Sequence, residues 1–358
     1  MNSEVYFVPV EKDKEKNIEN LKRLFDTVGG RNSISKNASV AIKVHFGEPG
    51  NTAFLKPYYI KPIVEKIKEC KGKPFLTDAN TLYKGERSDT KSHLQSAKKH
   101  GYTQESMGIP IIIADGPDSH DVEKIKINLH HFKEVRIAKA PIKADSLIAI
   151  SHFKGHDCTG FGGAIKNVGM GLGSKAGKQQ MHADVIPQVN TSICNGDAEC
   201  IKWCPTNAIS LKADKAFIDR SKCIGCAECI AVCPTGAISA SWAGTPDSIQ
   251  EKMAEYAYGV LKDKKDRCIF FNYLVEISPN CDCYPHNDPP IVPDIGFLAS
   301  KDIVAIDQAS IDLVNEAHGR IKGKDKFRTI YPNINWSVQL SYAEKIGLGS
   351  RKYKLNKV

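Results

Sequence analysis

Short apolar runs alternate with helical patterns through the first 150 residues of the chain. Near-continuous β-branched and apolar runs bounded by Gly, Pro or Asp predict buried strands at Val5–Pro9, Ser39–Phe46, Pro74–Ala79, Ile109–Asp115 and Ser146–Ser151. Apolar residues spaced three and four apart predict helices between these strands, at Asn17–Thr27, Tyr58–Cys70 and Thr90–His100. Strands that alternate with helices favour an α/β fold with a largely parallel sheet and flanking helices.

The same patterning returns in the last third of the chain. It predicts helices at Pro246–Lys262 and Ile303–His318, and strands at Ile269–Ile277 and Asp294–Leu298. We therefore predict one α/β domain made from residues 1–190 and 242–358, with a separate module inserted at 191–241. Two independent flanking domains are the alternative organisation.

The segment between these two parts overlays on itself with an offset of 29 residues. The offset aligns three pairs of cysteines, which are Cys194 with Cys223, Cys200 with Cys229, and Cys204 with Cys233. The second copy reads C-x2-C-x2-C-x3-C-P, the cysteine run that holds iron–sulfur clusters in bacterial ferredoxins. The inserted module is therefore predicted to be a bacterial-type two-cluster ferredoxin of α+β class.

Two cubane-type clusters are predicted in this module. The fourth cysteine of each run ligates the other cluster in two-cluster ferredoxins. The ligands of one 4Fe-4S cluster are then Cys204, Cys223, Cys226 and Cys229. The ligands of the other are Cys194, Asp197, Cys200 and Cys233. A zinc ribbon is the competing interpretation, but it does not require the paired C-x3-C-P elements.

Asp197 stands where the second copy has Cys226, and three interpretations of this difference are open. The carboxylate can ligate iron as a harder and more exchangeable ligand, which gives a 4Fe-4S cluster with an Asp ligand. It can also stay away from the metal, which leaves a 3Fe-4S cluster or an iron open to water or substrate. Finally, Asp197 can be an acidic turn residue while a cysteine from elsewhere completes the site.

Length, cysteine content and charge narrow the class of protein. The chain has 358 residues, which exceeds a bare ferredoxin, and its 12 cysteines without an export signal favour metal binding over disulfides. We expect a cytoplasmic protein without a membrane segment. The net charge of +9 lies outside residues 191–241, where five basic and five acidic side chains cancel. A basic surface can steer acidic redox partner proteins or an anionic ligand. No nucleic-acid partner is expected, because the lysines lack an aromatic-interleaved module.

A second group of reactive side chains lies outside the repeat. It combines His152, His156 and Cys158 with the C-x-C pair Cys281 and Cys283. The pair can bind a metal if Cys158 or a histidine completes the site. It can also act as a redox-active dithiol or supply ligands to a cluster. Reduced structural cysteines near a turn are the alternative.

A glycine-rich stretch at residues 160–177 is a further candidate for ligand binding. Dense glycine lets backbone amides approach an anion or a cofactor, and Lys166 and Lys175 would assist a phosphate-bearing ligand. Gly171 to Ala176 fits G-x-G-x-x-A, but no strand directly precedes it. A tight loop packed against the inserted module is the other interpretation.

Several motifs together resemble a known family. They are His45-Phe-Gly-Glu48, Thr77-Asp78-Ala-Asn80, Ala114-Asp-Gly116, Gly160-Phe-Gly-Gly-Ala-Ile-Lys-Asn167, Cys281-Asp-Cys283, Pro293-Asp294-Ile-Gly296 and Ala305-Ile-Asp-Gln-Ala-Ser310. They are similar to the family labelled domain of unknown function 362, over nearly the whole chain. The resemblance implies an α/β domain joined to an inserted two-cluster ferredoxin segment, and a setting in anaerobic bacteria and archaea. It supplies no reaction, and the chain departs from the usual cluster motif at Asp197.

Three functions are consistent with these features. The first is an iron–sulfur electron-transfer protein that relays single electrons between redox partners. The second is a cluster-dependent redox enzyme or maturation factor. Its substrate, metal or cofactor site would lie in the α/β domain near Cys281, Cys283, His152, His156 and Lys166. The third is a regulatory protein whose clusters sense oxygen or iron.

Overall fold

The structure is a computed structural model that describes residues 2–82, 85–182, 187–204, 206–223, 229, 232–239 and 246–358. The predicted ligand Cys226 lies outside the described residues. Within the described ranges, no helix combines the length and the apolar character needed to cross a membrane.

Strands and helices alternate in the first half of the chain and again after the cysteine-rich segment. The strands are β1 Ser3–Pro9, β2 Ser39–Lys43, β3 Lys73–Asp78, β4 Ile111–Ile113, β5 Val122–Lys126, β6 Glu134–Ala138, β7 Ser146–His152, β8 Lys154–His156, β9 Gly160–Gly162, β10 Gln188–Val189, β11 Ile209–Lys212, β12 Lys215–Ile218, β13 Ile238–Ser239, β14 Cys268–Leu274, β15 Gly296–Ser300 and β16 Tyr353–Lys357. The helices are α1 Lys14–Thr27, α2 Pro57–Glu69, α3 Thr90–Lys99, α4 Gln104–Met107, α5 Lys139–Lys143, α6 Ala164–Leu172, α7 Lys175–His182, α8 Glu199–Lys202, α9 Pro246–Leu261, α10 Ile303–Glu316, α11 Lys326–Ile330 and α12 Ser337–Lys345.

Eight strands form the central sheet, in the order β16-β1-β15-β14-β7-β2-β3-β4. The strand β15 is antiparallel to its neighbours β1 and β14, and the other adjacent pairs are parallel. The predicted α/β class with a largely parallel sheet is thus confirmed. Strands from both sides of the cysteine-rich segment share this one sheet. The domain limits at residues 190 and 242 stay a prediction.

Helices cover both faces of the sheet, which explains why its central strands read as continuous apolar runs. In β7, Leu147 and Ala149 pack on one side with Ile165 of α6. Ile148 and Ile150 pack on the opposite side, with the core residues of α1 and α2. Side chains of a strand alternate between the two faces of the sheet. A strand that is covered on both faces therefore carries mostly apolar residues.

Most predicted elements are present, with ends that differ by a few residues. The predicted strand Ser39–Phe46 ends at Lys43, because the following residues leave the sheet toward a pocket. The predicted strand Asp294–Leu298 is Gly296–Ser300. The hairpin of β5 and β6 and the edge strand β16 were not predicted, since their charged residues obscure the apolar pattern.

The glycine-rich stretch forms regular structure. It contains β9, α6 and the start of α7. Gly169 lies where α6 meets α9, and a Cβ atom at this position would lie 2.2 Å from the backbone oxygen of Met253. The glycine therefore permits a close approach of the two helices.

The chain reverses its direction of travel across the sheet between β2 and β7. From β2 it proceeds through β3 to the edge strand β4, and it returns to β7 on the other side of β2. Ligands of open α/β sheets bind at the carboxyl ends of strands beside such a switch point. The ends of β2, β3 and β7, at Lys43, Asp78 and His152, are therefore the expected location of a site.

A buried carboxylate joins α10 to the start of α6. Asp307 is fully buried and accepts hydrogen bonds from the backbone N–H groups of Ala164 (2.7 Å) and Ile165 (2.9 Å). It also accepts one from Asn272 Nδ2 on β14 (2.7 Å). Burial raises the pKa of Asp307 to about 6, although the hydrogen bonds oppose this increase.

Replacement of Asp307 should change how stability depends on pH. In the folded protein, the Asp307 carboxyl keeps its proton up to about pH 6. In the unfolded chain, the same carboxyl loses its proton at about pH 4. Its contribution to stability is therefore complete below pH 4 and lost as the pH rises through 6. Relative to wild type, Asp307→Asn should gain up to about 3 kcal/mol of unfolding free energy across this interval.

Urea unfolding at several pH values measures this difference. Glu316→Gln, at an exposed carboxylate of the same helix, is the control and should follow the wild-type curve. If the unfolding free energy of Asp307→Asn changed with pH in the same way as that of wild type, the raised pKa of Asp307 would be contradicted.

Candidate functional site

A cavity of about 800 Å³ opens at the carboxyl edge of the sheet. Its walls come from Lys43 at the end of β2, Asp78 at the end of β3, and Lys154 and His156 on β8. Side chains of α6, α7 and α9 complete it, among them Met170. This volume suits a small molecule or an organic cofactor.

A buried ion pair forms the floor of this pocket. Lys43 Nζ lies 3.0 Å from Asp78 Oδ1 and donates to Asn167 Oδ1 (2.7 Å). Burial lowers the pKa of Lys43, and Asp78 opposes the change. Asp78 Oδ2 is fully buried, with Arg87 Nη1 3.6 Å away and His93 Nε2 3.7 Å away. The Asp78 carboxylate therefore lies between Lys43, Arg87 and His93.

Two more buried cations line the pocket. Arg87 pairs with Glu48 (Nε to Oε2, 2.7 Å), and its Nη1 lies 2.9 Å from His45 Nε2. Lys178 donates to the backbone oxygen of Gly173 (2.5 Å). Burial lowers the pKa of Lys178 to about 8, against the attraction of a carboxylate at Asp115. Lys178 can thus exchange a proton with a ligand near neutral pH.

The C-x-C pair forms a buried thiol site at the pocket wall. Ligand atoms of His156, Cys281 and Cys283 lie within 4.8 Å of one another. Lys166 Nζ lies 3.4 Å from Cys281 Sγ, and the backbone N–H of Cys283 donates to the same sulfur (3.4 Å). The hydrogen bond from the Cys283 thiol, with Lys166, holds the pKa of Cys281 well below its usual range. The same sharing of a proton raises the pKa of Cys283.

Asp282 attaches the C-x-C turn to the end of β7. Its carboxylate is buried, 2.8 Å from His152 Nδ1 and 3.3 Å from Lys154 Nζ. Burial opposes ionisation of Asp282, but His152 and Lys154 outweigh it and lower its pKa. His152 also contacts the backbone oxygen of Val275 through Nε2 (2.9 Å). His152 therefore supports the turn and is not part of the pocket wall.

The predicted ligands of the second cluster lie near one another. Cys194 and Cys200 are buried in one small apolar cluster, against which Cys233 packs. Burial and the nearby Cys233, Asp197 and Cys194 raise the pKa of Cys200. Asp197 is exposed, and its Oδ1 accepts from the backbone N–H of Glu199 (3.0 Å). Cys229, a predicted ligand of the other cluster, is buried in the same apolar cluster, and Cys223 is partly buried.

The two copies of the repeat surround their last cysteine in a similar way. Thr206 Oγ1 lies 3.8 Å from Cys204 Sγ, and Thr235 Oγ1 lies 3.5 Å from Cys233 Sγ. The backbone N–H of Ala208 donates to Cys204 Sγ (3.1 Å). Burial opposes ionisation of both thiols, but the hydrogen-bond donors outweigh it and lower the pKa of Cys204 and of Cys233. Such donors stabilise thiolates.

The two lysines of the glycine-rich stretch lie in different surroundings. Lys166 lines the pocket beside Cys281. Lys175 lies near the carboxylates of Asp115 and Asp89, and burial lowers its pKa.

The pocket cations Lys43 and Lys178 were missed in the sequence. A charged residue inside an apolar strand, as at Lys43, is the signal that could have indicated the first of them.

Fold and side chains together define a cysteine-rich α/β protein with a charged pocket and groups suited to metal binding. The chain belongs to the family described as Domain of unknown function (DUF362), whose profile matches residues 40–312. No functionally curated protein matches the sequence.

Two solved structures are similar in part. One is the lactate racemase apoprotein from Thermoanaerobacterium thermosaccharolyticum, with 16% identity and a TM-score of 0.40 over 76% of this chain and 51% of that one. The other is a Thermotoga maritima protein, with 10% identity and a TM-score of 0.41 over 93% of this chain and 59% of that one. The chain thus spans little more than half of either structure's length.

Removal of the Asp282 carboxylate should destabilise the protein strongly. Asp282→Ala leaves Lys154 and His152 buried without their anion, and breaking a buried pair in this way costs about 3–5 kcal/mol. Urea unfolding measures the loss. Asp288→Ala, at an exposed position of the same loop, should change the unfolding free energy by less than about 0.5 kcal/mol. Equal effects of the two substitutions would show that Asp282 does not anchor the turn.

Proposed function

We propose that the protein is an iron–sulfur oxidoreductase that holds two cubane-type clusters in residues 191–241 and acts on a small molecule in the pocket. When bound, the clusters supply single-electron transfer from redox partner proteins. The observation that carries the proposal is that the helices on both sides of the cysteine-rich segment line the pocket. His182 at the end of α7 and Pro246 at the start of α9 both belong to the cavity wall.

The residues present fit the clusters. Cys194, Cys200 and Cys233 lie close together with Asp197, as crossed ligation requires. The sulfurs of Cys204 and Cys233 lie close to hydroxyl or N–H groups, and such contacts tune the reduction potential of a cluster. Cys204, Cys223, Cys226 and Cys229 would hold one cluster. In the other, we assign Asp197 as a carboxylate ligand beside three cysteines.

The cysteine-rich segment also contacts the α/β domain away from the two junctions. The rings of His120 and Trp203 stack, with centroids 4.3 Å apart. Trp203 directly precedes Cys204 in the chain. This contact links the cysteine-rich segment to the α/β domain next to a predicted cluster ligand.

Partner docking is supported by apolar side chains on the surface of the segment. Ile193, Trp203, Leu211 and Phe217 are all exposed by 40% or more. Exposed apolar side chains can take part in partner binding. A redox partner that covers Ile193 or Trp203 would approach the cluster ligands directly, since these residues adjoin Cys194 and Cys204 in the chain.

Metal content tests the proposed clusters. Anaerobically purified protein should contain about seven or eight iron atoms per chain with matching acid-labile sulfide. Cys223→Ser should lose about half of this iron. Cys268→Ser, at a buried cysteine of β14, is the matched control and should retain it. Zinc in place of iron, or equal iron content in the two variants, would refute the assignment.

The Asp197 ligand has its own test in the same preparation. Asp197→Cys should change the paramagnetic resonance spectrum of the second cluster, because a thiolate donates more charge to iron than a carboxylate does. Identical spectra and iron content of wild type and variant would exclude a ligand role for Asp197.

Reoxidation of the reduced protein tests the role of the pocket. Protein reduced with dithionite should transfer electrons to reducible small anions, and we would screen 2-oxo acids and α,β-unsaturated carboxylates. Met170→Trp fills part of the cavity without changing its charge, so it should slow this reaction about 10- to 100-fold at unchanged iron content. Ile112→Trp, at an exposed position on β4, should leave the rate of reoxidation unchanged. Reoxidation by redox proteins alone, at equal rates in both variants, would favour an electron carrier instead.

A further inference from the structure

We propose that His156, Cys281 and Cys283 form a binding site for one divalent transition-metal ion, with Zn²⁺ as the reference ion. The site is separate from the predicted clusters and does not depend on them. It adds a metal centre to the wall of the pocket, and the pocket supplies the remaining ligand.

The geometry brings three suitable donor atoms together. One imidazole nitrogen and two sulfur atoms lie within 4.8 Å of one another, the spacing that a single ion requires. Cys281 is 1% exposed, and His156 is 7% exposed. Two sulfurs and one imidazole nitrogen suit a borderline or soft ion, whereas Mg²⁺ and Ca²⁺ require oxygen ligands.

The C-x-C turn is held in place by backbone contacts from several directions. The N–H of Gly155, beside His156, donates to the backbone oxygen of Ser278 (2.8 Å). A Cβ atom at Gly155 would lie 2.1 Å from the backbone oxygen of Pro279, so only glycine permits this approach. The N–H of Glu48 donates to the backbone oxygen of Asp282 (3.0 Å). The three donors are therefore preorganised by the fold.

Charge balance also favours an ion at this position. Two thiolates and a neutral imidazole neutralise a divalent ion, so the occupied site carries no net charge into a buried environment. Lys166 Nζ, 3.4 Å from Cys281 Sγ, adds one positive charge beside the centre. Lys154, which also lines the pocket, is compensated by Asp282 (Nζ to Oδ2, 3.3 Å). The charge of Lys166 favours a small anion or a carboxylate oxygen as the fourth ligand.

The position of the site leaves room for that ligand. His156 and Cys283 line the cavity, so an ion between them faces its interior. Metal sites with three protein ligands and an open fourth position are typical of catalytic ions, which polarise bound oxygen atoms. The ion would thus bind the molecule that occupies the pocket.

A second group shares the same histidine. His156, Asp157 and Cys158 also bring their ligand atoms within 4.8 Å of one another. Asp157 is exposed and accepts a hydrogen bond from the Tyr284 hydroxyl (2.5 Å), and the N–H of Cys158 donates to His156 Nδ1 (3.1 Å). We assign the ion to the thiol pair, and Cys158→Ser separates the two possibilities.

The test uses the anaerobically purified full chain with its iron content measured first. One equivalent of Zn²⁺ is added after chelator treatment, and absorption at the zinc edge reports its ligands without interference from iron. We expect one bound zinc with two sulfur ligands at about 2.3 Å and nitrogen or oxygen ligands at about 2.0 Å. Cys283→Ser and His156→Ala should weaken zinc binding about 100-fold or more, because each removes a ligand.

Two control variants complete the design. Cys158→Ser and Cys70→Ser should bind zinc as wild type does, and the iron content should be equal in all variants. Because serine at the buried Cys281 can impair folding, Cys281→Ala is compared with Cys283→Ser, and only variants with wild-type melting temperature are scored. Unchanged zinc affinity in Cys283→Ser, or a zinc ion with four sulfur ligands that occupies the cluster cysteines, would overturn the proposal. Loss of iron with retained zinc binding would refute the proposed clusters alone.

Discussion

Charge that is buried at the carboxyl edge of the sheet has to be compensated locally, and the walls of the pocket are arranged around this requirement. Lys43 is compensated by Asp78, Arg87 by Glu48, and Lys154 by Asp282. An unpaired buried ion costs several kcal/mol, so each pair fixes the distance between the segments that carry it. These pairs connect β2 to β3, the loop after β2 to the segment before α3, and β8 to the C-x-C turn.

The C-x-C turn depends on this arrangement more than any other part of the site. The Asp282 carboxylate contacts His152 and Lys154, whereas the thiols of the two flanking cysteines lie near His156. A carboxylate between two thiols thus serves as the anchor, and the thiols serve as the proposed metal ligands. The anchor and the proposed metal centre therefore share one short piece of backbone.

The sequence predicted the layers of the fold better than the contents of the site. Apolar runs such as Ser146–Ser151 identified the buried strands because a strand covered on both faces has few polar positions. The antiparallel direction of β15 and the pairing of β16 with β1 depend on contacts distant in the chain, which local pattern does not encode. The cysteine spacing predicts the cluster ligands, and this assignment stays a prediction. Lys43 and Lys178 were not predicted as pocket residues. The burial of each lysine depends on partners such as Asp78 that the fold brings close.

The position of β1 in the sheet has a consequence for the order of folding. Its two neighbours are β15 and β16, and Val5 pairs with Ser300 on one side and Leu355 on the other. During synthesis, β1 therefore has two unpaired edges until β15 and then β16 have left the ribosome. The cysteine-rich segment emerges earlier, when only β2, β3, β4 and β7 can be assembled. Metal would thus reach the predicted cluster ligands of residues 191–241 while the central sheet is still incomplete, since long-range strand pairing is slow.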